Sequence, residues 1–195
     1  MGRRSDHSRA ELERMIVAEG HRQMSEVGFA RFSAREVAKR IGYTIGTIYN
    51  VFGSLDLLVL AINAQTLRNW QAHIEAQLAG RDDDRLRILI EAYFEFAIMH
   101  RNAWTALYDH RLPDDVFAPD YYQDQIREIT NIVRTEIAAA LPPARVDEAA
   151  ALTRSLLATV HGHCFFTLNG TFQLLGETNP LEAVHRRVRE AIAGI

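Results

Sequence analysis

The 195-residue sequence predicts an all-α protein of about nine helices, long enough for one or two small domains. Three observations carry that expectation. Helix starts with capping side chains recur along the chain, apolar residues between them repeat at spacings of three and four, and no stretch alternates long enough to demand a strand. Apolar residues make up 48% and charged residues 24% of the chain. That is the balance of a globular protein with a real core.

Ser8-Arg9-Ala10-Glu11 is a capping box, and Leu12, Met15, Ile16 and Val27 lie on one side of the helix it opens. Gly28 ends that helix. Ser33-Ala34-Arg35-Glu36 repeats the box and opens a short second helix through Arg40, with Val37, Ala38 and Ile41 inward and Gly42 as its stop. Thr44 caps a third helix carrying Ile48, Tyr49 and Phe52. After Gly53, Ser54 caps a long fourth helix from about Leu55 to Leu78. Asp82, Asp83 and Asp84 place negative charge at the start of a fifth helix, about 84–101. A short sixth helix spans about 102–110, and Pro113 and Pro119 bracket a loop. The seventh runs about 120–140 and stops at Pro142-Pro143, and the eighth runs about 145–169. Asn179-Pro180-Leu181-Glu182 supplies an N-cap, a proline at the first helical position and an acid at the third for the last helix.

Composition narrows the function classes. Cys164 is the only cysteine, which excludes an intramolecular disulfide and a cysteine-based zinc finger. It makes the reducing cytoplasm the default compartment. No apolar run is long enough for a transmembrane helix, and the first residues lack the apolar stretch of a signal peptide, so no membrane association is expected. The net charge of −3 is unevenly spread. Residues 1–55 hold nine Lys/Arg against six Asp/Glu, and the remainder holds thirteen against nineteen. A basic head on an acidic body fits a nucleic-acid-binding module joined to something else.

Two short helices about the turn Ile41-Gly42-Tyr43 have the lengths of a helix-turn-helix. In such a unit the second helix enters the major groove by its N-terminal end. Thr44 and Thr47 offer small hydroxyls, and Ile45 an apolar group for a thymine methyl. Gly46 allows close backbone approach, and Tyr49 can set its hydroxyl against a phosphate. From spacing alone, an ordinary helical hairpin inside a larger bundle fits equally well.

The stretch from Phe32 to Leu58 resembles the DNA-binding domain of the TetR/AcrR family of bacterial transcription regulators. The resemblance rests on Val27-Gly28-Phe29, Val37-Ala38, Gly42 and the Gly46-Thr47-x-Tyr49-x-x-Phe52 pattern. It implies an N-terminal three-helix DNA-binding domain over residues 1–55 and a helical bundle over 56–195 that binds ligand and dimerises. The candidate DNA contacts are Ser33, Arg35, Lys39, Thr44, Ile45, Gly46, Thr47, Tyr49, Asn50 and Ser54. Two positions depart from the pattern. Val51 stands where an aromatic or His is usual, and Leu55 where a phosphate-binding Lys is usual. Arg3, Arg4, Arg9, Arg35 and Lys39 are the cations available to offset the second. His161-Gly162 is similar to the WHG-type C-terminal subgroup, a two-residue match.

Twelve of the 17 aromatic residues follow position 55. Trp70, Tyr93, Phe96, Trp104, Tyr108, Tyr121, Tyr122 and Phe166, with His100 and His163 as polar anchors, are the candidate lining of a cavity for a small apolar or amphipathic effector. His161 and His163, two apart on a helix, point about 200° apart and do not chelate one metal. No nucleophile elbow or phosphate-binding glycine loop occurs, so neither enzyme activity nor a cofactor is expected. Leu152, Leu156 and Val160 on the eighth helix, and Leu181, Val184, Val188 and Ile192 on the last, form apolar stripes fit for a homodimer interface. The expected protein is a cytoplasmic homodimeric repressor, released by its effector from a palindromic double-stranded DNA operator. The competing class is a helical small-molecule carrier with no DNA role.

Overall fold

The structure, a computed structural model, describes residues 7–194. Arg3 and Arg4 lie outside the described residues. Ten α-helices follow in order: α1 (Arg9–Val27), α2 (Ala34–Arg40), α3 (Ile45–Phe52), α4 (Leu55–Leu78), α5 (Arg85–Met99), α6 (Arg101–Asp109), α7 (Asp120–Ala140), α8 (Ala149–Leu168), α9 (Thr171–Leu174) and α10 (Pro180–Ala193). No strand occurs among the described residues.

The caps act where their chemistry predicts. Ser8 Oγ accepts from the Glu11 amide while the Glu11 carboxylate accepts from the Ser8 amide at 2.7 Å, a closed capping box. Ser33, Thr44, Ser54 and Asn179 each accept from a first-turn amide. The bounds of α4 and α7 match the sequence reading. Residues 145–148 do not start α8 as expected. Pro143–Glu148 is a 3₁₀ turn pinned by Arg145, which pairs with Glu148 at 2.7 Å and donates to the Ile192 carbonyl at the end of α10. The four-residue α9 was not anticipated, because one turn leaves no periodic pattern to read.

Contacts divide the chain into two compact units. One runs to Asn69 and takes in His100–Gln125; the other holds Trp70–Met99 and everything from Ile126 on. The expected boundary after residue 55 is therefore displaced into the middle of α4. The reason is packing. Leu58, Val59 and Ile62 of α4 share one core with Leu12, Ile16, Met24, Val37, Ala38 and Ile48. A helix that supplies a quarter of a core cannot be cut away from it.

Within the first unit the Ile62 side chain of α4 lies against the backbone of α1 at Gly20. A Cβ at Gly20 would stand 2.5 Å from Ile62 Cδ1, nearer than two carbon atoms settle. α6 completes this unit, with Ala103, Trp104 and Ala106 buried. Hydrogen bonds to α1 and α4 fasten it. Asn102 Nδ2 donates to the Ser25 carbonyl at 2.9 Å, at the end of α1. Asn63 Nδ2 donates to the Ala106 carbonyl at 3.3 Å, and His110 Nε2 meets Asp56 Oδ1 at 2.9 Å.

In the second unit α8 packs on α10 and α5. This corrects the reading of the apolar stripes. Leu156, Val160, Val184 and Val188 are 6%, 7%, 0% and 4% exposed, so they face the interior of their own subunit. Leu152, Leu181 and Ile192 are half-buried. An apolar stripe signals burial without saying against what. The outward side of α8 is instead Ala151, Ser155, Ala158 and Phe165, with Gly162 half-buried between them.

His185 of α10 is nearly inaccessible, and its Nε2 stands 3.9 Å from Glu91 Oε1, beyond a hydrogen bond. Burial holds its pKa below the ordinary value; Arg87 and Arg189 act in the same direction, and Glu91 and Glu182 oppose them. Below the usual histidine range the unfolded chain therefore takes up its proton first, and stability falls as pH drops. Melting temperatures should decline between pH 7 and pH 5.5, and His185→Gln should flatten that decline. An equally steep decline in the variant rules out His185 as its source.

Candidate nucleic-acid interface and ligand cavity

The helix-turn-helix is assembled from local bonds. The Ser33 amide donates to the Gln23 side chain at 2.9 Å, which ties the start of α2 to α1. Gly42 adopts φ 77°, open to glycine at low cost, and lets the Tyr43 amide reach back to the Ala38 carbonyl at 2.9 Å. Thr44 Oγ1 accepts from the Thr47 amide and meets its hydroxyl at 3.1 Å. Arg40 cross-links the unit, reaching Glu26 at 2.9 Å, Glu19 at 3.2 Å and Glu36 at 3.4 Å. These carboxylates raise the Arg40 pKa, and Arg40 holds that of Glu26 below its usual range.

Ile48, wholly buried, is the inward pole of α3. Away from it, Thr44, Gly46, Tyr49 and Asn50 are exposed, and so are Arg35 and Lys39 of α2. Six of the ten predicted DNA contacts thus share open surface on the two helices. The others are placed differently. Ser33 and Ser54 serve as caps with their oxygens, leaving each hydroxyl hydrogen to donate. Thr47 is half-buried and engaged with Thr44. Ile45 corrects the sequence reading: it is half-buried against the core, so less of it remains for a thymine methyl. Arg9 donates to the Val51 carbonyl at 3.0 Å, bracing the end of α3. Leu55 is 44% exposed at the position where a phosphate-binding Lys is usual.

The second unit encloses an apolar cavity of about 40 Å³. Trp70 and Ile74 of α4 and Leu86, Leu89, Ile90 and Tyr93 of α5 form one side. Val133 and Ile137 of α7, Leu156, Leu157 and Val160 of α8, and Val188 of α10 form the other. The hydroxyl of the lining residue Tyr93 stands 2.9 Å from His161 Nδ1, whose pKa burial lowers. Trp70 and Tyr93 meet edge to face with centroids 5.4 Å apart. Ligand pockets commonly measure about 300–1,000 Å³, so this cavity is closed to all but very small molecules.

Only Trp70 and Tyr93 of the ten predicted ligand residues line it. Phe96 packs against His73, His163 donates to the Thr159 carbonyl and lies tilted against Phe172, and Phe166 meets Phe172 edge to face. Trp104 and Tyr108 contact each other in the first unit, where His100, Tyr121 and Tyr122 also lie. The cavity is mainly aliphatic, and Leu86, Leu89, Ile90 and Tyr93 repeat at helical spacing in the sequence. Preference for aromatic residues hid that signal.

A basic-faced helix-turn-helix on one unit and an apolar chamber in the other define a ligand-responsive, DNA-binding transcription regulator. The chain belongs to the TetR family. A family model described as "Bacterial regulatory proteins, tetR family" matches residues 16–62, and one described as "Tetracyclin repressor-like, C-terminal domain" matches residues 86–191. The chain is 28% identical over 142 residues to the HTH-type transcriptional regulator BetI of Burkholderia thailandensis, covering 70% of this chain and 72% of that one. A protein of unknown function from Rhodococcus sp. RHA1 shares the fold with a TM-score of 0.73 at 19% identity, covering 100% of this chain and 99% of that one. A TetR transcription regulator from Haloarcula marismortui does so at 0.62 and 19%, covering 95% and 98%. Family members are transcription factors and not enzymes, and among the described residues no single helix is long and apolar enough to cross a membrane.

Proposed function

We propose that the protein is a homodimeric repressor that holds a palindromic operator through α3 of each subunit and leaves it when a small apolar or amphipathic effector enters the second unit. The exposed surface at α3, formed by Thr44, Gly46, Tyr49 and Asn50 while Ile48 is buried, is the observation that carries the DNA reading. One eight-residue helix reads few base pairs, and two-fold pairing doubles the site. Ala151, Ser155, Ala158, the half-buried Gly162 and Phe165 of α8 recur every three or four positions and offer a seam of small residues ending in one aromatic ring for a symmetry mate. The effector must favour a conformer with a wider cavity, since a ligand shifts an equilibrium only by its differential affinity. α4 is one continuous helix that carries Trp70 and Ile74 at the cavity and Leu58, Val59 and Ile62 under the DNA-binding helices. It is the proposed path between the two.

Fluorescence anisotropy on DNA flanking the encoding gene tests the reading. Binding should be sequence-specific and salt-dependent. Tyr49→Ala should weaken it about tenfold, the order of one good contact. Unchanged affinity would remove α3 from the interface. Restoring a cation with Leu55→Lys should steepen the salt dependence by about 0.9 per subunit contact.

A further inference from the structure

We propose that a second ligand site lies between α1 and α4 of the DNA-binding unit, and that it takes a small organic anion carrying its own hydroxyl or amino donor. The space is a cleft of about 500 Å³, within the range of ligand pockets and more than ten times the apolar cavity. Val17 and Ala18 give it an apolar side. Its rim is polar, and hydrogen-bond accounting leaves that rim rich in donors.

Arg68 Nη2 donates to Gln65 Oε1 at 2.7 Å, and Gln65 Nε2 donates to Asn69 Oδ1 at 2.9 Å. Both amide oxygens are thereby engaged. The remaining N–H groups of Arg68 and the Asn69 amide nitrogen stay available. Arg14 uses Nε on the Ala10 carbonyl at 3.3 Å and keeps its terminal nitrogens. Neither arginine has a carboxylate within 4.0 Å among the described residues, whereas Arg22, Arg40, Arg85, Arg87 and Arg145 each do. Two arginines without a carboxylate partner beside an open cleft match carboxylate or phosphate oxygens.

Glu13 adds selectivity. It is the one acid on the rim, and it opposes a ligand that is negative all round. A hydroxy acid or a sugar phosphate places its donor there and its anionic groups on Arg14 and Arg68. The ring of His21, which also borders the cleft, faces Arg68 of α4 and His100 ahead of α6. Burial first, then these two groups, keep its pKa low and the ring neutral at pH 7. An anion seated beside it reverses that balance, so binding should take up protons and tighten as pH falls.

Calorimetric titration of the full-length protein with citrate and with 3-phosphoglycerate tests the site. Saturable binding of at least one is expected, weakened about tenfold by Arg68→Gln and by Arg14→Gln, each an exposed helix position where Gln preserves the fold. Tricarballylate, citrate without its hydroxyl, should bind more weakly than citrate. Proton uptake, read from heats in two buffers of different ionisation enthalpy, should vanish in His21→Gln. Absence of saturable binding by both probes, or binding indifferent to both arginine variants, overturns the proposal. Operator affinity without ligand should be the same in Arg68→Gln as in the parent, which separates failure here from failure of the DNA reading.

Discussion

An Ala158→Glu chain is expected to run as a monomer and to bind its operator about a hundredfold more weakly than the parent, the lower end of what linking two half-site readers provides. Ala158 lies at the middle of the exposed seam on α8. A carboxylate there costs the isolated subunit only a few tenths of a kcal/mol, since Glu is a good helix former on an open surface. In a face-to-face pair of α8 helices the same group meets its own symmetry copy, and burying two like charges costs several kcal/mol. Light scattering at micromolar concentration reads the assembly directly. Ala76→Glu, an exposed alanine on α4, serves as the control and should leave assembly unchanged. A dimeric Ala158→Glu chain would place the interface elsewhere.

Trp70→Ala should cost about 3–5 kcal/mol, the range for emptying a buried indole. Trp70 is 6% exposed, forms one wall of the apolar cavity and meets the Tyr93 ring edge to face. Its removal adds the indole volume to a chamber that begins at about 40 Å³. Melting should fall by roughly 2–4 °C for each kcal/mol in a chain of this length. An apolar cavity enlarged in this way stays dry and accepts benzene or xenon. Benzene should therefore raise the melting temperature of the variant and leave the parent unaffected. A variant that melts like the parent would show that the indole is not packed as described.

Much of the fold was legible because helix ends are local chemistry. Ser8, Ser33, Thr44, Ser54 and Asn179 announce their helices within four residues, and no tertiary contact is needed to read them. The face of α3 was nearly as plain, since Ile48 and the exposed Tyr49 and Asn50 follow from one periodicity. What failed was partner assignment. Leu156, Val160, Val184 and Val188 were correctly apolar and wrongly thought to face a second subunit, because a stripe does not name what covers it. The small outward residues of α8 carry no hydrophobic signal and pass unnoticed beside them. The cavity lining failed for a related reason. Aliphatic Leu89, Ile90 and Val133 look like any core, and only three-dimensional placement shows the gap they leave.

The flush contact at Gly20 has a mechanical meaning. Only the Ile62 side chain stands between the two backbones at that point, so a methyl group added at Gly20 would have to turn that side chain aside or part the helices. The far end of α1 is held by a different device, Asn102 Nδ2 shared between the Ser25 carbonyl at 2.9 Å and the Glu26 carbonyl at 3.3 Å, so α1 is located by shape at its middle and by hydrogen bonds at its end.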